Sequence, residues 1–346
     1  MNTLFTCLIA FLGTYLTVPL FRFVAVRYGI VDLPGRRKIH KSATPLLGGV
    51  TVYLGFLCGV FFNLRYIQSL VPVIIGASII LLVGLIDDIR KLSAQIRLVL
   101  QLAAATFVIV AGDRINFLPP GTGGTIIEVL LTYVWIIGVT NAYNYLDGMD
   151  GLAAGSLVVN ASCFAVILFH SNQYFLMVAV VALAGACLGF LPFNLHNAKI
   201  FLGDAGSTLL GFVLASIAVI GNWAQDNFVK ISIPILILGV PIFDMVFTTV
   251  MRIAEDKISS VADWLQYAGK DHFHHYLTDL GLPPLGAVLF IYATSLSLGL
   301  SAIMVSNDRT PEALLSLAQA AIMLWIIAVL IVAGKRLRKQ PKGGDT

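Results

Sequence analysis

Apolar runs of about 20 residues recur along the whole chain and are separated by short polar stretches. Runs of that length match helices crossing a hydrocarbon core about 30 Å thick. They predict eleven spans, at 3–21, 46–63, 70–86, 95–111, 125–140, 152–169, 174–191, 205–221, 230–250, 285–305 and 312–333. An outer-membrane barrel would instead alternate over segments of about ten residues, and no such alternation is visible. Nor is there a tandem repeat or a polar stretch large enough to fold apart from the helices. A single membrane-embedded, all-α polytopic domain over 1–346 is expected, with its longest connection at 251–284 and a basic tail at 334–346. The first run has no basic region before it and no small-residue cleavage pattern after it, so it reads as a retained helix.

Composition strengthens this picture. The chain is 58% hydrophobic and only 12% charged, with a mean hydropathy of +0.90. A soluble domain carries about 25% charged residues. Cys7, Cys58, Cys163 and Cys187 lie far apart inside apolar runs, as small buried hydrophobes do, and suggest neither a disulfide frame nor a zinc site. Charge distribution then sets orientation. Of the 22 basic residues, all but Arg65, Arg114, Lys230 and Arg309 fall on the side that holds the connection after the first span. Basic loops stay in the cytoplasm. The expected topology has the N-terminus outside, the C-terminus in the cytoplasm, and an odd number of spans in the inner (plasma) membrane.

That topology brings six aspartates to one cytoplasmic face. Asp87 and Asp88 close the third span, Asp147 and Asp150 follow the fifth, Asp204 opens the eighth, and Asp244 lies near the end of the ninth. Ionised carboxylates at membrane depth are rare and usually have a partner or a function. Asn144, Asp147 and Asp150 recur every three residues, a spacing that puts them on one face of a helical turn. Their oxygens suit a hard cation such as Mg²⁺, which keeps water and substrate phosphate in its shell. Asp204 is expected at or near a helix N-cap, where free N–H groups attract phosphate. Gly203 and Gly206 beside it would let a ligand approach the backbone. The adjacent Asp87 and Asp88 repel unless a cation relieves them, which suits a metal ligand beside a proton acceptor. Each of these features also has a plain structural explanation as a cap, a turn or an interfacial ion pair.

The connection 251–284 carries Asp271-His-Phe-His-His275, three histidines next to the acidic face. Zinc is one reading, but no cysteine is near, and one helix does not easily turn all three imidazoles to a common centre. Phosphate contact is the preferred reading. The first cytoplasmic loop holds Arg36, Arg37, Lys38, His40 and Lys41, which suit anionic headgroups of membrane lipid. Asp244, close to Pro241, has no assigned role beyond bracing a kink there or facing the aqueous cleft.

Taken in order from Lys41 to His275, these motifs resemble the polyprenyl-phosphate N-acetylhexosamine-1-phosphate transferases. The resemblance is nearest to the bacterial undecaprenyl-phosphate GlcNAc-1-phosphate branch. It covers essentially the whole chain and implies the same eleven-span topology. It also implies roles. Asp204 would be the principal Mg²⁺ ligand, with Asn144 and Asp87 assisting and Asp147 at the edge of the metal site. Mn²⁺ would be the substitute cation. Asp87 or Asp88 would deprotonate or orient the lipid phosphate. Phe201 would stack on uracil, and Asn194 and Asp150 would line the uridine pocket. His272, His274 and His275 would contact the diphosphate, and Lys41 would approach the phosphates. Phe273 interrupts the histidine run, which separates the chain from the branch that transfers phospho-MurNAc-pentapeptide. Lys270 and Asp271 stand where the GlcNAc branch often has an arginine.

The implied reaction joins a UDP-N-acetylhexosamine, most simply UDP-GlcNAc, to undecaprenyl or another polyprenyl phosphate. UMP leaves, and the lipid-linked product starts cell-envelope glycan synthesis. Catalysis would be positioning and electrostatics, by direct attack or through an aspartyl phospho-enzyme. The phospho-MurNAc-pentapeptide reaction is the alternative. A cation-coupled transporter would also need intramembrane carboxylates, but its site would lie at the midplane between repeated halves. A lipid-binding scaffold would explain the basic loop and not the aspartates. No nucleic-acid partner is expected, and a homodimer is left open.

Overall fold

A computed structural model describes residues 3–33, 43–119, 121–260, 263, 267, 269, 271–306 and 309–339. About 80% of these residues are helical. The helices are α1 (Thr3–Tyr28), α2 (Gly48–Phe61), α3 (Ile67–Arg90), α4 (Ala94–Val110), α5 (Thr122–Leu146), α6 (Leu152–His170) and α7 (Tyr174–Asn194). They continue with α8 (Gly203–Ile220), α9 (Asn227–Ile237), α10 (Gly239–Ala254), α11 (Phe273–Asp279), α12 (Pro284–Val305) and α13 (Thr310–Lys339). A two-stranded antiparallel pairing, Val31–Asp32 with Thr44–Pro45, flanks the first loop.

Each predicted span coincides with a helix or a helix pair, so the all-α membrane architecture stands. Eight helices are long and apolar enough to cross a membrane, and the bent pair α9–α10 makes nine among the described residues. The two remaining predicted spans are α2, with 14 residues, and α4, with 17. The ninth predicted span is not one rod, because α9 and α10 meet at an angle of 75°. The break falls at Leu238, three residues before Pro241. Pro241 sits in the first turn of α10, where its missing N–H breaks no helical bond. Helix α13 runs on to Lys339, through the first residues of the predicted basic tail at 334–346.

The centre of the bundle is α8, buried along nearly its whole length. Helices α3 and α5 pack on either side of it, α4 leans on both, and α2 covers its beginning. On one flank α1, α2, α6 and α7 pack together; on another α12 joins α6 to α9, and α10 lies against α5. Exposed Leu16, Leu20, Phe23, Leu315, Trp325 and Leu330 mark α1 and α13 as outer helices. Their apolar faces suit lipid, which makes the chain a multi-pass membrane protein. The C-terminal ends of α3 and α5 and the N-terminal end of α8 meet at one end of the bundle.

Candidate active site

Asp87 lies in the last turn of α3 and is 2% exposed. The helix stops at Lys91, whose left-handed backbone (φ 54°) turns the chain back. That turn lets the Leu92 N–H donate to Asp87 Oδ1 at 2.6 Å, while Arg97 from α4 donates to Oδ2 at 3.0 Å. The Asp87 side chain also reaches that of Asp204. Asp88 points elsewhere. Its two oxygens accept the Asp204 N–H (2.9 Å) and the Ala205 N–H (3.2 Å), so Asp88 caps the first turn of α8. A carboxylate there satisfies orphan donors and faces the positive end of the helix dipole.

Asp204 is the second residue of α8, and its own side chain does not cap the helix. Asn144 in the last turn of α5 donates to Asp204 Oδ1 (2.9 Å) and to Ser207 Oγ (3.0 Å). The glycines beside Asp204 do not open space for a ligand, as the sequence suggested. Gly203 has φ +71°, and an added Cβ would stand 2.8 Å from the Leu46 carbonyl and 3.0 Å from Asp88 Cγ. At Gly206 the added Cβ would stand 2.8 Å from the Gly49 Cα. The small residues admit the protein's own α2 and α3.

The predicted common face of Asn144, Asp147 and Asp150 does not form. Helix α5 ends at Leu146, so Asp147 leaves the helical path (ψ 49°) and 147–151 is a turn. Asp147 stays near the centre. Burial, and then the negative charges of Asp204, Asp88 and Asp150, push its carboxyl up to about 8. Asp150 turns away and accepts the Ala198 N–H at 2.9 Å. Asn194 is buried and acts as a bracket: its Oδ1 accepts the Gly151 N–H (2.9 Å) and its amide donates to the Ile200 carbonyl (3.0 Å). Phe201 is half-buried next along this loop, and its backbone pairs with Pro45 and Gly48. The 147–151 turn is also held from α12, where the Tyr292 hydroxyl donates to the Gly151 carbonyl at 2.6 Å.

A cleft opens between α3, α4, α5 and α8. Asp87, Asn144 and Asp204 line it, with Arg97, Gln101 and Asn141. Gln101 and Asn141 exchange hydrogen bonds across α4 and α5, the shorter being 2.9 Å. Arg97 and Gln101 were not singled out from the sequence. Their signal was available in principle, since both lie on a short polar stripe of an otherwise apolar helix.

Mg²⁺ binds through one or two protein carboxylates and keeps water and phosphate oxygens as further ligands. Two carboxyls in one cleft, Asp87 and Asp204, plus the Asn144 carboxamide fit that requirement. A site made wholly of protein ligands does not fit, because no three His, Cys, Asp or Glu side chains converge at metal distance among the described residues.

The histidine segment packs against the same end of the bundle, and its members differ. His272 is nearly buried and lies 5.0 Å, ring to ring, from Tyr145. His274 is fully buried under the 147–151 turn, where a Cβ on Gly148 would fall on its ring. Burial first, then the neighbouring His275, pushes His274 down to about 3, so it is neutral at physiological pH. His275 is the half-buried member, with its ring 4.2 Å from that of His274. The ring of His272 is stacked on that of His274, 5.9 Å away. Lys41 and the basic residues 36–40 lie outside the described residues.

The profile of glycosyl transferase family 4 matches residues 70–222, the stretch that holds Asp87, Asn144, Asp147, Asp150, Asn194 and Asp204. Over 334 residues the chain is 34% identical to a probable undecaprenyl-phosphate N-acetylglucosaminyl 1-phosphate transferase of Bacillus subtilis (strain 168). That match covers 94% of this chain and 89% of the relative. A decaprenyl-phosphate N-acetylglucosaminephosphotransferase of Mycobacterium tuberculosis (strain ATCC 25618 / H37Rv) is 32% identical, over 92% of this chain and 85% of its own length. The undecaprenyl-phosphate alpha-N-acetylglucosaminyl 1-phosphate transferase of Escherichia coli (strain K12) is 29% identical, over 97% and 95%. With this coverage, and with the cleft carboxylates inside the matched region, the chain belongs to glycosyl transferase family 4, the polyprenyl-phosphate sugar-1-phosphate transferases that its motifs resemble.

Proposed function

We propose that the protein transfers GlcNAc-1-phosphate from UDP-GlcNAc to undecaprenyl or a similar polyprenyl phosphate, releasing UMP. The observation that carries this reading is the gathering of two carboxyls, Asp87 and Asp204, in one cleft between α3, α4, α5 and α8, with Asn144 hydrogen-bonded to Asp204. The names of the relatives support GlcNAc and polyprenyl phosphate as the reacting pair, and none of those described above transfers phospho-MurNAc-pentapeptide.

In the reaction an oxygen of the lipid phosphate attacks the β-phosphorus of the nucleotide sugar. A new P–O bond forms, the bond from that phosphorus to the bridging oxygen breaks, and UMP carries the electron pair away. Asp204, Asp87 and Asn144 would hold Mg²⁺, which when bound offsets charge on the diphosphate. Asp147, at the edge of this group, would lose its proton when positive charge enters. Direct attack is favoured over an aspartyl phospho-enzyme. Both oxygens of Asp88 already accept α8 N–H groups, and both of Asp87 accept from Leu92 and Arg97. A carboxylate so engaged is a poor nucleophile. Phe201 would stack on uracil, with Asp150 and Asn194 shaping that wall through the bonds they make to 151, 198 and 200. His275, supported by His272 and His274, would meet the diphosphate, and Lys41 would approach it from the first loop.

The basic-residue bias supports a site that faces the cytoplasm of an inner membrane, with eleven spans if α2 and α4 are counted. The test is UMP release by purified protein given polyprenyl phosphate, Mg²⁺ and a panel of UDP-N-acetylhexosamines. UDP-GlcNAc should be used fastest, and Asp204→Ala should abolish release. Silence with every donor would sink the reading; full activity of Asp204→Ala would sink the site.

A further inference from the structure

Asp244 is an aspartate of the acidic face that does not line the cleft. It lies on α10 and is 0% exposed. Its Oδ1 accepts the Phe273 N–H at 2.6 Å and faces the Thr248 hydroxyl at 3.2 Å. Phe273 is the first residue of α11, so Asp244 holds an orphan donor of that short helix from a distant part of the chain. Its Oδ2 lies 3.4 Å from His272 Nδ1, a close contact outside hydrogen-bond geometry, and neither of these buried atoms has a hydrogen-bond partner among the described residues.

The far side of the His272 ring completes a chain. Arg252 Nη2 lies 3.3 Å from His272 Nε2. A guanidinium only donates, so Nε2 accepts, and in the neutral ring the proton is on Nδ1, facing Asp244. This assignment follows from the hydrogen-bond network. Arg252 is 1% exposed and is held by Asp271 through two bonds, Nε to Oδ2 at 3.1 Å and Nη2 to Oδ1 at 2.8 Å. Bidentate pairing of this kind fixes direction as well as charge. Thr248 also faces the Asp271 carbonyl at 3.1 Å. Two buried carboxylates, one on α10 and one on the loop, thus grip one arginine and one imidazole between them.

We infer that Asp244 is a positioning residue for the transfer reaction. Through His272 and the first N–H of α11 it fixes the place and tautomer of the histidine segment, and so where His275 meets the phosphates. The inference rests on the function proposed above. The predicted role of Asp244, bracing a kink at Pro241, does not hold, since the break is at Leu238 and the aspartate points to the loop.

Asp244→Asn separates this role from bulk. The amide oxygen can still accept the Phe273 N–H, but the new NH₂ group faces the His272 Nδ1–H. Moving the proton to Nε2 would set it against Arg252, so one buried donor clash remains either way. Phosphate charge develops during transfer, and loss of alignment there lowers kcat more than it raises KM. The expected fall in kcat is about 10²-fold, the usual effect of misplacing a group by about 1 Å. KM for UDP-GlcNAc should change less than about threefold by the same reasoning.

The experiment measures kcat and KM by UMP release, and hydrogen exchange of peptides covering 271–279, in wild type, Asp244→Asn and Thr132→Val. Thr132 is buried on α5 far from the cleft, and its hydroxyl accepts the Ile115 N–H and donates to the Glu128 carbonyl. It controls for loss of a buried polar group. The inference expects Asp244→Asn to lose kcat and to exchange faster at 271–279, and Thr132→Val to do neither. Faster exchange with unchanged kcat would overturn it, as would lost kcat with unchanged exchange. Should Asp244→Asn fail to fold, Thr248→Val removes one hydroxyl from the same network. It must then lower kcat at constant KM, or the inference fails. Absence of UMP with the wild type would sink the proposed function instead, and the exchange result alone would then decide whether Asp244 anchors the segment.

Discussion

Helices α3 and α8 touch backbone to backbone at Gly84, one turn before Asp87. A Cβ at Gly84 would stand 2.5 Å from the Ala205 nitrogen and 2.8 Å from the Asp204 carbonyl carbon. Heavy atoms settle at about 3.5–4.0 Å. Gly84→Ala therefore forces the helices apart by about 1 Å, the shortfall between the 2.5 Å contact and that range. No side chain can yield, because the opposing atoms are main chain. Two effects on stability oppose each other: overpacking costs about 1–3 kcal/mol, and replacing glycine in a helix returns about 1 kcal/mol. Melting temperature should move little. Turnover should move a great deal, since the displacement separates Asp87 and Asp88 on α3 from Asp204 on α8. A misplacement of about 1 Å lowers kcat about 10²-fold. The assay is UMP release under saturating donor and lipid phosphate, with thermal unfolding in parallel. Gly84→Ala within threefold of wild-type kcat would refute the claim that this crossing sets the spacing of the carboxyls.

Two further outcomes follow from groups outside the cleft. His274 is depressed to about 3 in the folded protein, against an unfolded value of about 6.5. The stability it contributes is present above pH 6.5 and is lost as pH falls from 6.5 toward 3, by at most about 1.4 kcal/mol per pH unit. His274→Asn should therefore flatten the fall in melting temperature between pH 6.5 and pH 5, and an unchanged acid slope would contradict the burial of that ring. At the other end of the bundle Glu128 accepts the Phe117 and Leu118 N–H groups, each at 3.0 Å, and Arg114 Nε at 3.2 Å. Glu128→Ala orphans two half-buried donors and should cost about 2 kcal/mol. Turnover per folded molecule should stay the same, so a kcat loss would show coupling between the two ends.

The spans were legible because each is a run of apolar residues, a signal carried within one segment. The gathering of Asp87, Asn144, Asp147 and Asp204 at one end of the bundle was legible for a related reason: helix ends alternate between sides. What the sequence hid is long-range. Asp88 caps α8 through Asp204, 116 residues later, and nothing near Asp88 announces it. Asp244 reaches Phe273 across 29 residues. The regular spacing of Asn144, Asp147 and Asp150 misled because helix α5 ends between the first and second of them. The bend between α9 and α10 was misassigned to Pro241, because proline is the visible helix breaker and Leu238 is not. Gly203 and Gly206 looked like room for a ligand, since sequence alone cannot say whether the space beside a glycine is filled by another helix.

The short α4 has a consequence for the lipid around it. At 1.5 Å per residue its 17 residues extend about 26 Å, several ångströms less than a hydrocarbon core of about 30 Å. A bilayer meeting a short apolar wall thins or lets its polar layer dip. Exposed Ile96, Val99, Phe107 and Val110 line that wall, and Arg97 and Gln101 open from the same helix into the cleft. Where α4 meets lipid, such thinning would draw the headgroup plane toward Asp87 and Asp204, and a lipid whose phosphate must reach them would need to be lifted less far from its leaflet.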